Sequence, residues 1–184
     1  QWRVQGREIP VSINLPTHLL DKHDLVDRLR DYVVAADAQT HSIVFELMES
    51  STTEEPGSYY AGACRLRMMG FGLAQDDFGK GFSSYFNLVS TPFSELKIDR
   101  SLVHGCAENE NQACALRSLV ELSRKLGLTV VAEGVETPEE LAFLRSIKCD
   151  QVQGFLICGA ISCTDFETLL LEQSSQPSWA AFKY

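Results

Sequence analysis

The sequence predicts a β/α barrel. Three observations carry this: short runs rich in Val and Ile alternate with helical patterns, the connections between them are a few residues long, and polar residues close the apolar runs instead of interrupting them. Such a series of β-α units requires parallel strands with helices packed outside, because parallel neighbours need a crossover connection. An open doubly wound sheet shares the alternation and remains the alternative. However, no G-x-G-x-x-G follows the first strand, and Gly79-Lys80-Gly81 has a different spacing and follows the third.

The first strand is expected over Ile9–Ile13, ending at Asn14. Asp21–Ala36 reads as a helix, with Leu25, Val26, Leu29, Val33 and Val34 at helical spacing. Ser42–Phe45 is a second strand ending at Glu46; a polar, turn-rich stretch then tips into a helix over Tyr59–Met69. Phe71–Ala74 forms a third strand that stops at Asp76–Asp77, followed by the Gly-rich segment Phe78–Ser84 and a short helix to Val89. Leu96–Ile98 is a short strand around Lys97. Asn109–Leu126 is a long amphipathic helix with Gly127 as its C-cap. Leu128–Ala132 is the most apolar strand and ends at Glu133. Thr137 then caps a helix that has Pro138 at its first position and acids in its first turn. Val152–Ile157 carries the last strand, with Gln153 near its start, and Asp165–Glu172 a closing helix.

A chain of 184 residues, 45% hydrophobic, is long enough to bury one core. Its 25 acidic and 16 basic residues give a net charge of -9, which argues against binding a nucleic acid polymer but not against a small anionic ligand whose charge a metal offsets. The longest apolar runs fall far short of the roughly 20 residues of a membrane helix. No secretory signal opens the chain, and the absence of an initiating Met predicts a sequence that begins inside a larger protein. The six cysteines form no C-x-x-C pair and read as buried, reduced thiols, which predicts a cytoplasmic location.

Asn14, Glu46, Asp76, Asp77 and Glu133 fall at strand ends, positions that meet on the C-terminal face of a β/α barrel. Four carboxylates and a carboxamide converging there repel one another unless something positive sits among them. Oxygen donors without His or Cys suit Mg²⁺, Mn²⁺ or Ca²⁺ better than zinc. Adjacent aspartates suit two metals, one carboxylate bridging both ions. Such ions lie about 3.5–4 Å apart and clamp the attacking and leaving oxygens of a phosphodiester. Lys97 is the lone cation nearby, able to orient a water or balance charge, and Glu133 is the candidate general base. Taken singly, each has an ordinary role: Asn14 caps a turn, Glu46 pairs with an arginine, Asp76–Asp77 cap the next helix. Their recurrence at strand ends is what argues for a site. Glu49 and Glu136 lie one turn beyond strand ends, where a solvated glutamate is the default. The four histidines share no ligand spacing and read as surface or helix-end residues.

The segments Asp76-Asp77-Phe78-Gly79-Lys80-Gly81-Phe82-Ser83-Ser84, Glu95-Leu96-Lys97-Ile98-Asp99-Arg100-Ser101, Val131-Ala132-Glu133-Gly134-Val135-Glu136 and Gln153-Gly154-Phe155 resemble the EAL domain, in order and at its spacing. Ser12-Ile13-Asn14-Leu15 and Phe45-Glu46-Leu47-Met48-Glu49 match earlier blocks of it, and the flanks of the acidic pair look most like the response-regulator type. The resemblance implies a TIM-like (β/α)8 barrel that hydrolyses cyclic di-GMP to linear pGpG with Mg²⁺ or Mn²⁺. By resemblance, Asn14, Glu46 and Asp76 ligate the first metal, and Asp76 and Asp77 hold the second. Lys97 positions the hydrolytic water, and Glu133 is the base. Gln153 and Glu136 support the mouth, and Glu49 anchors the loop Phe78, Gly79, Lys80, Gly81 and beyond, which links the site to a homodimer interface. The resemblance also implies an N-terminal regulatory domain, of receiver type, in the parent protein.

This sequence departs from the family in three places. The motif that names the family, with its metal-ligating glutamate, and two strands before Ile9 are absent, so about six of eight strands are expected and weak or no activity for the chain alone. Lys80 stands where Thr or Ala is usual, and Gly159–Ala160 replaces an Arg-Pro pair. These departures keep open a non-catalytic module that binds cyclic di-GMP or a partner protein.

Overall fold

The computed structural model describes residues 9–48, 56–80 and 85–175. Glu49 and Gly81 lie outside the described residues. Six strands form one parallel sheet: β1 Val11–Asn14, β2 Ile43–Met48, β3 Gly72–Phe78, β4 Glu95–Ile98, β5 Thr129–Ala132 and β6 Gln151–Val152. Their spatial order is their chain order, without the reversal that defines a doubly wound sheet. The helices are α1 Leu25–Ala35, α2 Pro56–Met68, α3 Tyr85–Ser90, α4 Arg100–Val103, α5 Glu110–Leu126, α6 Pro138–Ser146 and α7 Cys163–Ser175. The architecture is an incomplete TIM-like barrel.

Strand alternation divides the side chains between two layers. Phe45, Leu47, Leu73, Leu96, Ile98 and Val130 join one apolar cluster with Ala63, Leu66, Leu116, Val120 and Leu144 of the helices. The alternate positions Glu46, Asp76 and Lys97 face the other way, into the barrel. At the sheet edge all four residues of β1 are exposed, Val11 and Ile13 among them.

Local chemistry explains most boundaries. Asn109 caps α5 through Oδ1, which accepts from the N–H of Asn111 and Gln112, and Gly127 closes the helix at φ 73°. Thr137 and Glu140 form a full capping box on α6.

Six expectations need correction. The first helix starts at Leu25, because a 3-10 turn over Thr17–Asp21 buries Leu20 and the chain extends at Lys22 before turning again. The third strand does not stop at the acidic pair: β3 runs through it to Phe78, carried past by an irregularity in its pairing with β4. The second strand does not end at Glu46: β2 starts at Ile43 and runs on to Met48, and the short helix α4 was not foreseen. The last strand holds only Gln151–Val152, because Gly154 O accepts from the N–H of Ile157 and Cys158 and bends the chain into a turn. All six cysteines are free, but only Cys106 and Cys149 are buried, their thiols pushed up to about 11 by burial; Cys64, Cys114, Cys158 and Cys163 are exposed. Among the described residues no helix is long and apolar enough to cross a membrane.

Candidate metal and catalytic centre

Neighbouring residues of a regular strand point to opposite faces, so Asp76 and Asp77 could not share a site on an ideal β3. Two features bring them together. The pairing of β3 with β4 shifts register between Gln75 and Phe78, and Asp77 takes a left-handed backbone at φ 56°. As a result Asp76, Asp77 and Glu133 each offer one oxygen, all within 4.8 Å of one another.

Lys97 stands among these acids from β4. Its Nζ lies 2.7 Å from Glu46 Oε1, 2.7 Å from Glu133 Oε1 and 3.2 Å from Asp76 Oδ1. Burial alone would lower its proton affinity, but hydrogen bonds to Glu133 and Glu46 outweigh that and raise it. Lys97 is therefore a fixed ammonium. Burial raises the carboxyl of Glu133 above the usual glutamate range, and Lys97 offsets only part of this.

Asp76 Oδ1 is buried and receives no hydrogen bond; its contact with Lys97 is an ion pair without hydrogen-bond geometry. An orphaned carboxylate oxygen beside two further acids fits a hard divalent cation. The residues present thus fit the ion that their chemistry suggests.

Of the other expected residues, Asn14 pairs in register with Glu46 across β1 and β2, and is exposed. Gln153 is exposed just beyond β6, its backbone bonded to Ala132 O and to the N–H of Val135. Glu136 pairs with Arg100 at 3.1 Å instead of joining the acid cluster. Phe78 is buried in the core, while Lys80 reaches back to Asp77, its Nζ 3.2 Å from Oδ2. His18, His23, His41 and His104 are all exposed, as expected.

Two acids were missed. Glu95, two residues before Lys97 and on the same face of β4, is a half-buried carboxyl raised by burial; strand alternation could have found it. Glu140, almost wholly buried, ties two mouth loops together by accepting from the N–H of Gly105 (3.0 Å), Glu136 (2.9 Å) and Thr137 (3.1 Å). Its signal was the T-x-x-E spacing of a capping box.

Comparison with known proteins places this geometry. Residues 1–160 match the family model described as the EAL domain. The chain is 33% identical to the cyclic di-GMP phosphodiesterase RocR of Pseudomonas aeruginosa, over 82% of this chain and 38% of RocR. The crystal structure of the EAL domain of Mycobacterium smegmatis DcpA superposes with a TM-score of 0.87 at 31% identity, covering 93% of this chain and 78% of that one. A manganese and cyclic di-GMP complex of Klebsiella pneumoniae BlrP1 superposes at 0.77 with 32% identity, covering 84% of this chain and 40% of that one. The chain spans well under half the length of the curated relatives it matches, 38% of RocR and as little as 19% elsewhere. With its motifs, strand order and acid cluster all in agreement, the chain belongs to the EAL domain family.

Proposed function

We propose that this chain supplies the site of a metal-dependent phosphodiesterase that opens cyclic di-GMP to linear pGpG in bacterial second-messenger signalling. The observation that carries the reading is the Lys97 ammonium gathering Glu46, Asp76 and Glu133 within 3.2 Å, beside an Asp77 turned to the same cluster. Names of relatives support it: RocR is a cyclic di-GMP phosphodiesterase, and BlrP1 has been captured with manganese and cyclic di-GMP.

Asn14, Glu46 and Asp76 would hold one Mg²⁺ or Mn²⁺, and Asp76 and Asp77 a second. Divalent cations there would offset charge on the phosphoryl oxygens and acidify a water. Glu133, its basicity raised by burial, is placed to take the proton of an attacking water as that water adds to phosphorus. The P–O bond to the leaving sugar oxygen breaks, that oxygen takes a proton from solvent water, and Glu133 returns its own proton to solvent. Lys97 holds its proton too firmly to act as base. It fixes Glu133 and keeps the acids together.

The reading places the enzyme in the cytoplasm, where its nucleotide would be met, under a regulatory domain elsewhere in the polypeptide. A homodimer through α3 fits that helix's exposed Tyr85, Phe86 and Val89. A second reading, a non-catalytic cyclic-di-GMP-binding module, is favoured by the Lys80–Asp77 ion pair at the second metal position.

The test is Mn²⁺-dependent pGpG formation by the full-length protein and its Asp76→Asn and Glu133→Gln variants. Turnover should vanish in both. Wild-type turnover in either removes the catalytic assignment, and calorimetric binding of cyclic di-GMP without hydrolysis selects the second reading.

A further inference from the structure

We propose that Lys80 is a tethered counter-ion that competes with the outer divalent cation for Asp77, so that the affinity of the second metal position is set by this side chain. The inference rests on the two-metal reading above. It concerns only the Asp77 side of the cluster, since Lys97 and Glu46 lie on the other.

The turn after β3 aims Lys80 at Asp77. Lys80 N–H donates to Asp77 O at 3.2 Å, closing a short turn through Phe78 and Gly79. Gly79 sits at φ 101°, and a β-carbon there would lie 2.3 Å from Cδ1 of Leu102 in α4, so this turn needs glycine. The Lys80 stem then folds back until Nζ stands 3.2 Å from Asp77 Oδ2. The ammonium faces Asp77 first, then Asp99 and Asp76.

A dication bound by Asp77 must displace this ammonium or sit beside it. Lys80 is 64% exposed on a flexible stem, so it can swing into water and the site is not blocked outright. Losing an exposed ion pair weakens binding by no more than about fivefold. Repulsion between the nearby ammonium and a double charge in near-aqueous surroundings brings the total to about tenfold. Lys97 differs: it is buried and bonded to two acids, and it does not leave.

The experiment titrates Mn²⁺ into the chain at constant ionic strength and follows free Mn²⁺ by its paramagnetic resonance signal. Wild type, Lys80→Met, Lys80→Arg and Asp76→Asn are compared. The weaker class of Mn²⁺ site should tighten about tenfold in Lys80→Met and stay at the wild-type value in Lys80→Arg, the tighter class being unchanged in both. Equal affinities in wild type and Lys80→Met, or equal tightening in Lys80→Arg, overturn the role of Lys80 and leave the metal reading standing. Retention of no Mn²⁺ by wild type, or equal retention by Asp76→Asn, overturns both.

Discussion

Lys97 Nζ and Glu133 Oε1 lie 2.7 Å apart, with only 8% and 16% of their side chains exposed, and both proton affinities stand above their ordinary values for different reasons. For Lys97, burial works against the charge, but its acidic partners win. For Glu133, burial also works against the charge, and one shared ammonium is not enough to reverse it. The pair therefore divides two tasks between two residues. One side chain carries permanent positive charge into the barrel, and the other is left with raised basicity.

Replacing Lys97 by Met should cost the fold about 3 kcal/mol, because Glu46, Asp76 and Glu133 are left without their buried counter-charge. Added Mn²⁺ should recover part of that loss in the variant, since a dication can take over the neutralising role. Urea unfolding with and without Mn²⁺ measures both effects. Unchanged stability in the metal-free variant would mean the three acids do not depend on Lys97.

Glu140 predicts an acid-side dependence of stability. Burial pushes its carboxyl up, but N–H donors of Glu136, Gly105 and Thr137, with His104 adding to them, hold it below its ordinary value of 4.5. A depressed folded value means the stabilisation is full above pH 4.5 and is lost as pH falls through the folded value. Glu140→Gln should be less stable than wild type by about 2 kcal/mol at pH 7, and the gap should narrow on acidification below pH 4.5. Unfolding curves of the two proteins at pH 7 and below pH 4.5 decide it; a gap independent of pH removes the electrostatic account.

Gly154 predicts a packing limit. A β-carbon there would lie 2.1 Å from Val135 O and 2.3 Å from Val135 N, and backbone cannot rotate away as a side chain can. The same Val135 exchanges hydrogen bonds with Gln153 O and Leu156 N, so any shift disturbs the turn after β6. Gly154→Ala should destabilise by about 3 kcal/mol, read from the urea midpoint. A cost below about 1 kcal/mol would show that the turn yields freely.

These residues also show what the sequence could and could not disclose. That Glu46, Asp76 and Glu133 gather on one side of the sheet was legible from apolar runs followed by acids, although only Glu133 follows the end of its strand, since β2 and β3 run past the other two to Met48 and Phe78. The caps at Asn109 and Thr137 were legible because their chemistry is local. Three features depend on tertiary contact and were not legible. The bulge that lets Asp76 and Asp77 share a face arises from pairing with β4. The turn that ends β6 at Gly154 is seated against Val135, whose N–H donates to Gln153 O and whose carbonyl accepts from Leu156 N–H. The engagement of Glu136 by Arg100 joins side chains 36 positions apart in the chain.

The left-handed backbone at Asp77, φ 56°, separates two contributions that a single substitution would mix. Asp77→Ala and Asp77→Gly both remove the carboxylate and its pair with Lys80, so both should weaken Mn²⁺ binding by the same factor. They differ in the backbone: a β-carbon in this conformation costs about 1 kcal/mol or more, and glycine escapes it. Asp77→Gly should therefore be more stable than Asp77→Ala by about 1 kcal/mol in metal-free buffer, while their Mn²⁺ isotherms coincide. Divergent isotherms would mean that the turn geometry itself, beyond the carboxylate it presents, shapes the cation site. Equal stabilities would mean that the chain relaxes out of the left-handed conformation once the acid is gone, so that the acid and its neighbours hold the strain in place.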